Sequence, residues 1–175
     1  MNVVSHSLTS EGSALTESLD YQESIMAWKK PAPYTKGTLR PFWDGLKERR
    51  FLLPKCNTCG TWYFPLSFCK NHKNEPFFGS LSWTAASGRG TIVAFNITQT
   101  ALRSAFKDDV PYVYALIGLD EGPIMSSNII NCEPNSVYID MPVKVVFWDI
   151  EDLDVTIPYF EPDRGAVQGA QTTHE

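Results

Sequence analysis

The chain has 175 residues, 43% of them hydrophobic and 13% aromatic, enough for one ordinary domain with a small attached module and tails. Twenty acidic against fifteen basic residues give a net charge of −5, which opposes general binding to nucleic acid, where a basic footprint is needed. No apolar run approaches the eighteen residues of a membrane span, and Met1 to Glu11 lacks the basic-then-apolar order of a signal peptide, so the expectation is a cytoplasmic protein.

In chain order, residues 1–37 read as an N-terminal arm. Met1 to Ser13 is polar, Leu15, Leu19, Ile25, Met26 and Trp28 recur at rough helical spacing, and Lys30-Pro31-Ala32-Pro33-Tyr34 is an extended linker. The arm lacks a core of its own and is expected either to dock on a partner or to fold back on its own domain. Residues 38–53 read as a short amphipathic helix, capped by Thr38 with Pro41 in its first turn, placing Leu39, Phe42 or Trp43, and Leu46 on one face.

Residues 54–77 carry the sharpest signal. Cys56 and Cys59 are separated by two residues, nine residues follow, and then Cys69 and His72 are again separated by two. Two close pairs of soft or borderline donors on tight turns suit one tetrahedral Zn²⁺, with Gly60 permitting the backbone turn after the second sulfur. All four positions are filled by protein donors, so a metal here is structural and has no open place for water or substrate. Trp62, Tyr63, Phe64, Pro65 and Leu66 can shield it. A redox reading of the Cys-x2-Cys pair is disfavoured, since an aromatic, strand-like run follows where a helix is required. Cys132 closes an apolar run and reads as a small buried hydrophobe.

Residues 78–162 change to strand patterns: Leu81–Ala86, Thr91–Gln99 with Val93, Phe95 and Ile97 on one face, Tyr112–Leu119 with Val113, Ala115, Ile117 and Leu119 on one face and Tyr112, Tyr114 and Leu116 on the other, Ile124–Ile130 after an Asp120-Glu121-Gly122 turn, and Val143–Trp148. Five strands at this spacing indicate a small antiparallel barrel. Residues 163–175 read as a flexible tail. The fold class expected is therefore mainly β, a zinc ribbon preceded by short helices and followed by a five-stranded barrel. His6 and His174 lie in the terminal segments and His72 is assigned to the metal, so no nucleophile–base machinery can be assembled, and no catalytic residue is assigned.

The order of helix, zinc knuckle, Ser87-Gly88-Arg89-Gly90-Thr91-Ile92, Pro111-Tyr112-Val113-Tyr114-Ala115-Leu116, Leu119-Asp120-Glu121-Gly122 and Met141-Pro142-Val143-Lys144-Val145-Val146-Phe147 resembles a known family. It is that of zinc-ribbon/OB-fold acyl-CoA-associated accessory proteins, and the likeness covers about Thr38 to Pro162. The ribbon would be rubredoxin-like and the barrel an OB-fold. The resemblance implies a non-catalytic subunit in a hetero-oligomer with a thiolase-fold catalytic subunit, holding the complex together and forming part of an acyl-CoA channel. Related branches accompany retro-aldolases, acyltransferases or hydratases. One branch with a longer chain resembles the small subunit of the thiolase that cleaves 2-benzoylsuccinyl-CoA in anaerobic toluene degradation.

Most members end the knuckle with a fourth Cys where this chain has His72, a normal zinc ligand. Arg89, between Gly88 and Gly90, is the barrel position at which a side chain and backbone amides would meet a CoA phosphate, against the plainer reading of a strand turn with a surface arginine. Two other classes compete. A single-stranded nucleic-acid binder would stack bases on Trp83, Phe95, Tyr112 and Tyr114, and an autonomous zinc hydrolase would need an open metal position.

Overall fold

The structure, a computed structural model, describes residues 28–65, 68–72 and 80–169. Leu15, Leu19, Ile25 and Met26 of the arm lie outside the described residues, as do His6 and His174. A 3-10 turn over Gly37–Leu39 leads into helix α1 (Arg40–Lys47). Pro41 sits in the first turn as expected, but the N-cap is Leu39 without a side-chain hydrogen bond, because the preceding 3-10 turn has already absorbed Thr38. The helix stops at Lys47, and the residues expected to end it form strand β1 (Leu52–Cys56).

β1 pairs antiparallel with β2 (Leu81–Ala85) in a two-stranded sheet, matching Leu52 with Ala85 and Cys56 with Leu81. The expectation that Leu81–Ala86 opens the barrel is thereby corrected. The strand belongs to the ribbon sheet, because its backbone ladder runs along β1 from Leu81 to Ala85. The barrel closes in the order β3 (Arg89–Thr98), β4 (Tyr112–Leu119), β5 (Ile124–Ile129), β7 (Val155–Pro162), β6 (Pro142–Ile150). Its fifth member is thus β7, which the sequence reading passed over. Pro158 and Pro162 mark the segment against a strand. They are tolerated because β7 meets β5 at the single parallel pair Ile129–Phe160, while the Ser127 hydroxyl donates to the Pro158 carbonyl at 2.6 Å.

Alternation decides which faces are buried. On β4, Val113, Ala115, Ile117 and Leu119 point into the core, while Tyr114 and Leu116 face out, as expected. On β3 the expected inward Val93 is 42% exposed. A bulge between Ile92 and Ala94 turns Ile92 inward in its place and keeps Phe95 and Ile97 half-buried on the core side. Gly90 allows β3 and β4 to cross closely, since a Cβ there would lie 2.4 Å from the Gly118 carbonyl oxygen.

The helix covers the barrel with Phe42 and Leu46 buried. Phe42 packs on Phe64 of the ribbon at 5.1 Å between ring centroids and on Phe51 at 6.0 Å, and Phe51 meets Phe160 of β7 edge-on at 6.2 Å. One aromatic chain thereby joins helix, ribbon and barrel.

The described end of the arm folds onto the barrel. Lys30 pairs with Asp109 at 2.9 Å beneath the Trp28 ring, and the Trp28 amide donates to Asp152 at 2.8 Å. At the other end, Asp163 is buried, and α2 (Arg164–Gly169) follows it, occupying the start of the expected tail.

Two outcomes test this packing. Phe42→Ala should cost about 3–5 kcal/mol of unfolding free energy in a urea titration, the usual range for a buried Phe that leaves a cavity. Asp149 receives a bidentate pair from Arg49 and the Thr156 hydroxyl, and those hydrogen bonds, the arginine's first, hold its carboxyl at about 2. A depressed folded-state value stabilises above the unfolded value near 4 and is lost as pH falls towards 2. Acid titration of Asp149→Asn should therefore lose less stability than wild type between about pH 4 and 2.

Candidate metal centre

β1 delivers Cys56 at its last residue, and the chain turns at once. The Gly60 amide donates to the Cys56 carbonyl at 3.0 Å and the Cys56 amide to the Thr61 carbonyl at 2.8 Å. Gly60 takes φ +72°, the left-handed geometry expected of it. The Asn57 amide donates to the Ser80 carbonyl at 2.8 Å, and Lys55 bridges to Trp62, so the first knuckle is tied to both sides of the ribbon sheet. Cys69 and His72 flank a second short turn.

These turns bring all four expected ligands together. The donor atoms of Cys56, Cys59, Cys69 and His72 lie within 4.8 Å of one another. The Cys59 and Cys69 sulfurs are 3.6 Å apart. Four donors about 2.3 Å from one tetrahedral ion have sulfur–sulfur edges of about 3.8 Å, so the separation fits shared Zn²⁺ ligation. Cys56 and Cys69 are buried, His72 is half-buried and Cys59 is exposed.

The two sulfurs nearest each other are shifted in opposite directions. Hydrogen bonding by the Thr61 hydroxyl and then by its backbone holds the Cys59 thiol at about 5, which favours its thiolate. Burial pushes the Cys69 thiol up, and its hydrogen bond with Tyr63, followed by burial, raises the Tyr63 phenol. The Tyr63 hydroxyl, 3.2 Å from the Cys69 sulfur, is a site residue that sequence reading treated only as shielding. Its place beside Cys56 and Cys69 in one buried cluster was not visible in the spacing.

The other candidates are placed elsewhere. Arg89 lies on the barrel, its side chain 57% exposed and its guanidinium 3.3 Å from the buried Asp163. Two amides of the turn before it are engaged, the Ser87 amide donating to Glu121 of the β4–β5 turn at 2.5 Å and the Arg89 amide to Ser87 Oγ at 3.1 Å. Gly88 is required by packing against Val145 as well as by its φ of +68°. The basic run Lys47 to Arg50 is likewise engaged, Lys47 with Asp154, Arg49 with Asp149 and Arg50 with Glu48. Cys132 is half-buried against the core, and burial raises its thiol, in keeping with a packing role. The four aromatics of the nucleic-acid reading do not share a platform. Trp83 lies on β2 outside the barrel, and Phe95 pairs with inward Ala115 whereas Tyr114 faces out.

Comparison with known proteins agrees with both modules. Residues 43–71 match the family model described as ChsH2, rubredoxin-like zinc ribbon domain, and residues 83–148 match ChsH2, C-terminal OB-fold domain. A DUF35 domain-containing scaffold protein of Methanocaldococcus jannaschii is 34% identical over 112 residues, 63% of this chain and 77% of that one. A probable enoyl-CoA hydratase alpha subunit of Thermomonospora curvata is 32% identical over 124 residues, 69% of this chain and 36% of that one. The solved structure titled Ltp2-ChsH2(DUF35) aldolase superposes with a TM-score of 0.60 at 27% identity, covering 76% of this chain and 98% of that one.

Metal analysis of the purified chain should find one zinc per molecule, and Cys59→Ser should lower that occupancy. Because binding energy is folding energy in such modules, chelation should speed amide exchange in Leu52–Cys56 and Leu81–Ala85 before it does so in the barrel strands.

Proposed function

This chain belongs to the DUF35 family of zinc-ribbon and OB-fold scaffold proteins, and from that membership we propose that it is a non-catalytic subunit of an acyl-CoA enzyme complex. The observation that carries the reading is the closed donor set of Cys56, Cys59, Cys69 and His72, which can hold a structural Zn²⁺ with every coordination place taken by protein. Such a metal builds a surface and supplies no Lewis-acid position. The hydratase alpha subunit among the relatives and the aldolase assembly among the structures support a catalytic partner chain.

The finer reading is a thiolase-fold partner, with the 2-benzoylsuccinyl-CoA thiolase of anaerobic toluene degradation as the specific case. The family resemblance rests on the order of motifs from the knuckle to Met141–Phe147 in the barrel, and the specific thiolase case on the long arm that precedes Thr38. The retro-aldolase, acyltransferase and hydratase alternatives come from the same resemblance, and the relatives' names favour the aldolase and hydratase cases among them. Co-expression of the chain with one candidate of each type separates them. Stable co-elution with the thiolase, and acyl-CoA cleavage by that complex, is expected. Co-elution with an aldolase or hydratase alone would overturn the thiolase assignment and leave the scaffold role.

The isolated chain should show no thiolase, hydratase or hydrolase turnover on acyl-CoA substrates. Turnover by the chain alone, abolished by changing one of its own residues, would overturn the accessory reading.

For CoA itself, the exposed guanidinium of Arg89 is the proposed contact. With the Ser87 and Arg89 amides engaged, the contact would come chiefly from its charge. Arg89→Ala in the assembled complex should raise KM more than it lowers kcat, as expected for a lost ground-state contact. Wild-type KM would assign the residue to its Asp163 pair alone.

A further inference from the structure

A site of three thiolates and one neutral imidazole leaves one negative charge on a bound Zn²⁺. Two of the sulfurs are buried, where water cannot solvate that charge and protein donors must. We infer that the hydroxyls of Tyr63 and Thr61 are built-in donors to the metal-bound thiolates, Tyr63 to Cys69 and Thr61 to Cys59, and that they set the affinity of the centre. The inference rests on the zinc reading and goes beyond it in assigning residues outside the ligand set.

Proton bookkeeping fixes the direction of the first bond. The Tyr63 oxygen accepts the Lys70 amide at 3.2 Å and lies 3.2 Å from the Cys69 sulfur. A phenol has one proton, the amide already occupies a lone pair of its oxygen, and a metal-bound thiolate can only accept. The hydroxyl proton therefore goes to sulfur. Tyr63 is 8% exposed, so no solvent competes for it.

The second bond is oriented in the same way. Asn71 Nδ2 donates to Thr61 Oγ1 at 3.1 Å, and Thr61 Oγ1 lies 3.2 Å from the Cys59 sulfur. The amide again takes an oxygen lone pair, which turns the threonine proton towards sulfur. Asn71 Nδ2 itself stands 3.6 Å from the same sulfur. Both hydroxyls come from the residues just after the first knuckle, and both of their orienting N–H groups come from the second turn. Each donor is therefore aimed only when the two halves of the site are together.

The test uses the full-length chain, with Zn²⁺ and Co²⁺ as probes. Tyr63→Phe keeps the ring and removes only the hydroxyl, and Thr61→Val keeps the β-branched shape. In competition with a chromophoric chelator, Tyr63→Phe should bind Zn²⁺ about tenfold more weakly, the lower end of the usual loss when an outer partner of a ligand is removed. Its Co²⁺ form should show the sulfur-to-cobalt charge-transfer band at longer wavelength, because an undonated thiolate gives up its electrons more readily. Thr61→Val should move the band in the same direction. Wild-type affinity and an unmoved band in both variants would overturn the inference. So would weaker binding with an unmoved band, which would assign Tyr63 to packing. Failure of the wild-type chain to bind Zn²⁺ at all would instead overturn the zinc reading beneath it.

Discussion

The structure hangs on an aromatic contact at Phe42. Among the described residues no strand runs from the ribbon sheet into the barrel, since the two-stranded sheet is β1 with β2 and the barrel closes on its own five strands. Without a shared ladder, the two β modules are held in register by side chains. Phe42 supplies them from the helix, touching Phe64 on the ribbon side and, through Phe51, Phe160 on the barrel side. Large rings suit this task because each buries much area at the cost of two torsions, and edge-on pairs fix an angle as well as a distance. The helix is thus the hinge-pin of the molecule, although it has only eight residues.

A surface pair reinforces the same junction. Arg49 has φ +59°, an uncommon geometry for a long side chain, and from it reaches Asp149 of β6 with both guanidinium nitrogens. The turn between helix and ribbon is in this way clamped to the barrel wall. The metal centre then needs to organise only the far half of the ribbon, where Cys56 and Cys69 sit with Tyr63 in a small core separate from that of the barrel. The near half of the ribbon, with Leu53, Trp62 and Trp83, shares the barrel's core instead.

Much of this was legible in the sequence, and the exceptions have physical causes. Cysteine and histidine spacing announces a metal site because ligand chemistry demands residue type and tight turns together, and Gly60 marks the required left-handed residue. Period-two alternation placed Val113, Ala115, Ile117 and Leu119 in the core. It failed at Val93, where a bulge shifts the phase by one residue, a feature set by the neighbouring strand and invisible locally. It failed again for β7, whose prolines belong to a seam with one β5 pairing, and for β2, whose pattern reveals a strand but not its partner. The donor role of Tyr63 could not be read from spacing either, since an aromatic beside a knuckle is equally a filler. Only the oxygen's position relative to Lys70 and Cys69 tells the two apart.

The order of strands in the barrel also sets an order of assembly on the ribosome. The ribbon sheet needs nothing beyond Ala85, whereas the barrel needs β7 to join β5 to β6. As the chain emerges, the knuckle can capture its ion while β3, β4 and β5 are still an open meander with a bare edge. Closure waits for Phe160, the same side chain that completes the aromatic bridge to the helix. The last strand made therefore seals the barrel and locks it to the metal module in a single event, so a nascent chain exposes its unfinished edge until that residue arrives.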